Sequence, residues 1–366
     1  MGTACSSTSS VTVPFRPTIL PSTVRTIVWS WQSNPDPWNE KETKEWKRYS
    51  DFENEFIEEK YQKKESEAHL GNYVIDLKEM VQIKKDSSTL QRPVKREKLC
   101  VTQFVREERF AYADQAIGSF TDAYDWGSRF IGEWRKRNEV PYVSGIWSEI
   151  VEQAAAGDNF TLCSPLVYSA IDSLFDLAGI LKEGRQLDQE FDAQQMAEKL
   201  RQMKDKSEDE IYECIVRLYS AESFLYKLVN RALRSEDMTK VDTLGAYACL
   251  LNRYFRISSE PEKRTLYRGA TLTNKMIDEY EQATGTMITW RAFTSTSESR
   301  ELAEQFGNTL FIIQAKGLLN NPFKDISSLS HYPHEQEVLF PPGHWYWVNK
   351  VERAKKNGRH LIYLSN

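Results

Sequence analysis

Three short stretches in the last hundred residues of this 366-residue chain hold side chains whose types could do chemistry together. Arg268-Gly269 closes the β-prone run Thr265-Leu266-Tyr267-Arg268-Gly269-Ala270. Ser295-Thr296-Ser297 follows Phe293 on a second such run. Glu335-Gln336-Glu337 leads into the apolar Val338-Leu339-Phe340, which stops at Pro341-Pro342. Arginine is a planar, permanently charged fork suited to phosphate oxygens. Glycine lets the backbone approach a ligand closely. A carboxylate can accept a proton or stabilise a developing positive charge. Side chains at i and i+2 of an extended backbone point the same way. That predicts Glu335 and Glu337 in one pocket, with Gln336 turned elsewhere. Singly, each of these groupings recurs by chance; their order and context carry the signal.

That order is Tyr-Arg-Gly, then Phe-x-Ser-Thr-Ser, then Glu-x-Glu with an apolar strand and proline. It resembles the R-S-E signature of the arginine-specific mono-ADP-ribosyltransferases. Ala303, Phe306 and Gly307 ahead of the apolar Thr309 to Ala315 fit the same pattern, as does the loop from Ile326 to Glu337. The resemblance is sharpest over 264–345 and reaches back weakly toward residue 100. It implies NAD as substrate, no metal, release of nicotinamide, and transfer of ADP-ribose to protein arginine.

The resemblance also implies roles. Arg268 anchors the NAD phosphates and ribose, and the Gly269 backbone meets the nicotinamide amide. Ser295 supports Glu337 and the ribose, while Thr296 and Ser297 hold the fold or the ligand. Glu337 takes the ribose 2′-hydroxyl and stabilises an oxocarbenium-like transition state. Glu335 determines the acceptor. A guanidinium, with a pKa above ~12, is a poor nucleophile as a cation. A carboxylate can clamp it with two hydrogen bonds, aim one nitrogen and accept its proton. In this family Glu at the first position goes with arginine acceptors, and Gln with asparagine or cysteine. His331 and His334, flanking the pair, read as surface-loop residues. The polymerase branch of the superfamily carries His-Gly and a Tyr where this chain has Arg268-Gly269 and Ser295. Two other functions keep the same residues in play: an NAD glycohydrolase with water as acceptor, and a catalytically weak poly(ADP-ribose)-binding scaffold.

The elements that must position these residues form an α+β chain in three zones. Residues 1–22 are a small, polar tail. Residues 23–98 are dense in aromatic and charged residues. Residues 100–366 run without a Pro/Gly-rich break, helical over 100–258 and strand-rich over 264–366. Apolar residues at three- and four-residue spacing predict helices at Phe104 to Ala113, Ile146 to Ala156, Pro165 to Leu181, Gln194 to Met203, Glu208 to Ser220, Glu222 to Arg234 and Thr243 to Phe255. These are expected to pack on the sheet that follows. Strands are predicted at 265–270, 293–297, 309–315, 337–340 and 360–364. The implied architecture is a helical part on a split β-sandwich that binds NAD.

In the second zone, strands are predicted at Val28 to Trp31, Tyr73 to Leu77, Met80 to Lys84 and Pro93 to Glu97, with a helix over Glu53 to Gln62. This zone resembles the WWE domain family through Trp29-Ser30-Trp31, Trp46-Lys47-Arg48-Tyr49, Ile57-Glu58, Tyr73-Val74-Ile75-Asp76-Leu77, Met80-Val81-Gln82 and Val94-Lys95-Arg96. Trp29, Trp46 and Glu58 match the residues that name the family. Many WWE domains bind the iso-ADP-ribose unit of poly(ADP-ribose). The positions matching that pocket are Trp31, Tyr73, Gln82 and Arg92: a ring to stack adenine, an amide to read an edge, and a fork for phosphate. Other members bind protein instead.

Composition bounds the rest. A net charge of −5, interspersed along the chain, offers no field for nucleic acid. Five scattered cysteines without CxxC spacing imply neither a zinc site nor a disulfide framework. No apolar run approaches the ~20 residues that cross a bilayer. Met1-Gly2-Thr3-Ala4-Cys5-Ser6 fits an N-myristoylation pattern at Gly2, with Cys5 placed for palmitoylation. Two acyl chains hold a protein at a membrane where one does so marginally. The expected location is intracellular and cytoplasmic, with membrane association through that tail.

Overall fold

The computed structural model describes residues 25–100, 106, 127–138, 178–203, 206–255, 263–317, 323–354 and 358–366. Gly2, Cys5, the helix expected at Ile146 to Ala156, most of that at Pro165 to Leu181, and all but Arg106 of that at Phe104 to Ala113 lie outside the described residues.

The second zone comprises β1 (Arg25–Gln32), β2 (Trp46–Arg48), α1 (Asp51–Gln62), β3 (Glu67–Leu70), β4 (Tyr73–Asp76), β5 (Val81–Lys84) and β6 (Ser87–Cys100). Its six strands form one antiparallel sheet in the order β2-β1-β6-β5-β4-β3. The long β6 pairs with β5 through its first half and with β1 through its second. At the start of α1, Ser50 and Glu53 each accept the other's backbone N–H, satisfying two donors that a helix start leaves open. Trp29 is fully buried on β1, and its indole N–H donates to Glu58 Oε2 at 2.8 Å. Arg96 on β6 forks onto the same carboxylate at 2.8 and 2.7 Å. One glutamate thereby ties β1, α1 and β6 together. Strands β2 and β3, three and four residues long, escape sequence reading because so few residues carry no period.

Next come α2 (Arg129–Arg137), α3 (Ala178–Gln186), α4 (Glu190–Arg201), α5 (Glu208–Ser220), α6 (Phe224–Ser235) and α7 (Val241–Tyr254). A second capping box, Ser207 with Glu210, starts α5. The expectation that these helices pack on the following sheet holds at one end only. Their apolar faces merge with Trp29, Phe52 and Ile57 of the second zone in one core, which reaches the C-terminal strands through Phe293, Ile326 and Leu339. Phe56 of α1 meets Phe191 of α4 with ring centroids 5.1 Å apart. Ser50 donates to Asp192 at 2.6 Å, and the Glu222 N–H donates to Asp51 at 2.7 Å.

The last zone holds β7 (Lys263–Ala270), α8 (Asn274–Gln282), β8 (Met287–Trp290), β9 (Thr294–Ser297), α9 (Arg300–Ala303), β10 (Thr309–Lys316), β11 (Lys324–Asp325), β12 (Glu337–Phe340), β13 (His344–Glu352) and β14 (His360–Ser365). The order is β11-β12-β9-β7-β10-β14-β13-β8. β10 and β14 run parallel; the other pairs are antiparallel. Among the described residues β7 meets β9 in register only at Tyr267 and Ser297. The sheet is thus nearly divided there, and beyond that point Arg268 and Ser295 face each other across the division. α8 covers the larger half through Met276, Ile277 and Tyr280, which join Leu266, Phe311 and Tyr346 in a second core.

Candidate active site

Arg268 sits near the end of β7, 8% exposed, and donates from Nη1 to the Ser295 carbonyl at 2.7 Å across the divided sheet. Burial, and then the like charge of Arg234 on α6, pull its pKa down to about 10, so it stays a cation at neutral pH. The like charge of Arg234 beside Arg268 concentrates positive potential here, which favours an anion. Arg234 was not legible as a site residue, because an arginine near a helix C-terminus also suits the helix dipole.

Gly269 answers to packing as well as to any ligand. A Cβ there would lie 2.1 Å from the Ala303 carbonyl and 2.7 Å from that of Phe306, so α9 and the chain after it can press on β7 only over a glycine. Thr296 and Ser297 act on the protein itself. The Thr296 hydroxyl donates to the Val338 carbonyl at 2.7 Å, and the Ser297 hydroxyl donates to the Glu335 carbonyl at 2.7 Å. The register sets Glu337 opposite Ser297 and Leu339 opposite Ser295. Because side chains alternate, Ser295 and Glu337 share a face as diagonal neighbours.

The two carboxylates converge, but not by the extended geometry expected of i and i+2. Glu335 ends a short 3-10 turn, Pro333–Glu335, and Gln336 adopts the left-handed region at φ 48° and ψ 48°. Glu337 then opens β12. Pro333 starts the turn, whose backbone bonds run from Glu335 N–H to the Tyr332 carbonyl and from Gln336 N–H to that of Pro333. Gln336 turns out to solvent, as expected, and both glutamates are fully buried.

Between them lies the guanidinium of Arg106. Its Nε donates to Glu335 Oε1 at 2.9 Å, its Nη2 donates to Glu335 Oε2, and that same Nη2 is 3.5 Å from Glu337 Oε2. Its Nη1 donates to the Ser220 carbonyl at the end of α5. Tyr332 lays its ring 3.9 Å from the guanidinium carbon, and its hydroxyl donates to Asp51 Oδ1 at 2.6 Å. Burial opposes the charge of Arg106, but the carboxylates of Glu335 and Glu337 hold its pKa well above the ordinary value. No pattern in the sequence marks Arg106, which lies 229 positions from Glu335.

His331 is not the solvated loop residue that its flanking position suggests. It is half-buried, with Nδ1 3.1 Å from the Ser220 hydroxyl, while its backbone N–H donates to that same oxygen at 3.1 Å. Burial, then Arg217 and Arg106, depress its pKa to about 3, so it is neutral in the fold. Ser220 therefore pins the carboxylate loop to α5.

In the second zone, Gln82 and Arg92 pair across β5 and β6, and the Arg92 guanidinium carbon lies 5.5 Å from the Trp31 ring centre. Gln82 is buried and accepts from the Tyr49 hydroxyl at 2.7 Å. Arg92 Nη1 donates to the carbonyls of Gln32 and Asn34 at 3.0 and 2.6 Å, so it also holds the turn after β1. Tyr73 is exposed on β4, and Lys47 Nζ lies 5.7 Å from the Trp31 ring. Tyr49 and Lys47 thus contact Gln82 and Trp31, two of the four residues expected there. No cluster of potential metal ligands occurs among the described residues.

Residues 27–96 match the WWE domain family, and residues 188–365 match the ADP-ribosyltransferase exoenzyme family. Mav of Mycobacterium avium is 38% identical over 109 residues, covering 28% of this chain and 13% of that protein. The erythroblast NAD(P)(+)–arginine ADP-ribosyltransferase of Gallus gallus is 29% identical over 158 residues, covering 41% of this chain and 49% of the relative. The match thus spans half or less of the length of these curated relatives. Among solved structures, the ADP-ribosyltransferase HopU1 of Pseudomonas syringae aligns at 21% identity over 47% of this chain and 82% of its own, with a TM-score of 0.37.

Proposed function

The chain carries an ADP-ribosyltransferase domain behind a WWE domain, and from that premise we propose that it moves ADP-ribose from NAD to protein arginine and releases nicotinamide. The observation that carries this reading is the guanidinium held by Glu335 through two hydrogen bonds, with Glu337 at 3.5 Å from one of its nitrogens. A pocket that takes one arginine side chain in this way has the shape and charge to take another.

Each residue then has a duty. Arg268, with Arg234 nearby, gives the pyrophosphate of NAD its counter-charge. Glu337 holds the nicotinamide ribose and stabilises positive charge at its anomeric carbon as the bond to nicotinamide breaks. Glu335 orients an acceptor guanidinium, so that one nitrogen bonds that carbon while the carboxylate takes its proton. Ser297 and Thr296 keep the two glutamates in place through the loop and strand backbone. The WWE domain, through Trp31, Tyr73, Gln82 and Arg92, recruits ADP-ribosylated partners.

The test is transfer from NAD to agmatine, followed with nicotinamide release. Adduct formation with the wild-type chain, and loss of both signals in Glu337→Gln, are the expected results. Nicotinamide release that is indifferent to agmatine, with no adduct, would make the protein a glycohydrolase instead. For the WWE domain, iso-ADP-ribose is titrated calorimetrically into the whole chain, because α1 shares its core with the following helices. Binding lost in Arg92→Ala is expected; absence of binding would leave that domain a protein-interaction role.

A further inference from the structure

We propose that Arg106 occupies the acceptor-arginine position of the protein's own active site, so that the chain carries an internal substrate mimic which foreign arginines must displace. The inference rests on the transferase reading above and adds to it a resident of the acceptor site.

Four features carry it. The pairing is the one acceptor recognition calls for: both Glu335 oxygens accept from two nitrogens of one guanidinium, a geometry that Lys cannot supply. The nitrogen shared with Glu335, Nη2, is also the one nearest Glu337, the carboxylate assigned to the reacting ribose. The other faces of the guanidinium are filled as well, by the Tyr332 ring at 3.9 Å and by the Ser220 carbonyl. Finally, the side chains of Arg106, Glu335 and Glu337 are at most 1% exposed. A protein arginine therefore reaches Glu335 only after Arg106 leaves. Arg106 is separated from Glu335 by 229 positions, so no local chain geometry brings the two together.

The chemistry also allows Arg106 to be a slow acceptor in cis. The C–N bond to nicotinamide would break, a bond from the anomeric carbon to Nη2 would form, and the proton of that nitrogen would pass to Glu335. Nicotinamide would leave neutral. Such an adduct, formed at a rate independent of protein concentration and so in cis, would be a direct record of occupancy.

The test uses the full chain in three forms: wild type, Arg106→Lys and Arg106→Ala. A site open for only a fraction of the time weakens apparent acceptor affinity by that fraction, so both variants should lower the KM for agmatine by about tenfold or more, with kcat kept or raised. Melting temperatures establish that each variant folds, and Arg106→Lys keeps a cation beside the carboxylates. A second measurement needs no variant: on wild type, with the dicarbonyl in large excess over agmatine because it labels that guanidinium too, saturating agmatine should speed labelling of Arg106, as mapped by mass spectrometry. An ADP-ribose adduct on Arg106 also supports the proposal. Unchanged agmatine KM in both variants, with Arg106 labelling indifferent to agmatine, would overturn it and make Arg106 a structural tie. Those results alongside normal agmatine transfer would leave the transferase reading intact. Absence of any transfer, by wild type and both variants, would instead sink the transferase reading, while the labelling still decides occupancy.

Discussion

Glu335→Gln separates the two carboxylates most sharply. In the fold Glu335 offers two acceptor oxygens to two N–H groups of one guanidinium. Glutamine keeps one acceptor and sets an amide donor against a guanidinium donor where the second oxygen stood. A hydrogen bond to a charged group contributes about 1.5–3 kcal/mol, and one of two is lost. Loss of a general base adds a further factor of ~10²–10⁴. Transfer to agmatine should therefore fall by at least ~10³-fold, equivalent to about 4 kcal/mol of barrier. NAD hydrolysis should be retained or raised, because Arg268 and Glu337 are untouched and the grip on Arg106 is loosened. The assay compares agmatine adduct with nicotinamide release, in variant and wild type, at matched protein concentration. Equal loss of both activities in a variant with a normal melting temperature would refute the division of labour between Glu335 and Glu337.

Other consequences concern stability. Gly269→Ala drives a methyl to 2.1 Å from the Ala303 carbonyl, and such overpacking costs about 1–3 kcal/mol, read as a lower denaturation midpoint. The Glu58 carboxyl is held at about 2, against its ordinary 4.5, by the hydrogen bonds from Arg96 with further help from Gln62 and Trp29. Its folded value lies below the unfolded one, so its contribution is complete above pH 4.5 and drains away toward pH 2. Glu58→Gln should flatten acid denaturation over that window; an unchanged slope would remove Glu58 from the account. His331 is held neutral, with its pKa at about 3 against an ordinary 6.5. The unfolded chain gains a proton there first, so stability falls as pH drops from 6.5 toward 3. In His331→Gln the melting temperature should fall less between pH 7 and 5 than in wild type.

Much of the fold is visible along the chain where a local rule and the tertiary structure agree. The helix Glu208–Ser220 follows its periodic span because its burial repeats with the helical period, and the strand Glu337–Phe340 shows as a short apolar run that is buried throughout and stops at Pro341-Pro342. β13 (His344–Glu352) and β8 (Met287–Trp290) do not announce themselves. β13 ends in Asn, Lys and Glu, which belong to its solvent face, and β8 has four residues, too few to show an alternation. α8 (Asn274–Gln282), rich in charge, was hidden by the same shortness. Trp29 and Glu58 were legible through the family resemblance, and only the fold shows that the buried indole N–H finds its acceptor in that carboxylate.

What the sequence by itself determined is the inventory of chemistry: an arginine and glycine on one strand, serines on another, and two glutamates before a third. Side-chain type and local order suffice for that, since each sits on or beside its own strand. Only the tertiary structure decided how the glutamates converge and what stands between them. Gln336 takes a left-handed conformation that swings Glu335 back over Glu337, a backbone choice that no i, i+2 rule foresees. Asp51 of α1 reaches Tyr332, and Arg106 reaches Glu335, across 281 and 229 positions. Contacts of that range depend on how whole elements pack. They leave no periodic trace at either end, so the N-terminal half's hold on the loop of Glu335 and Glu337 belongs to the fold alone.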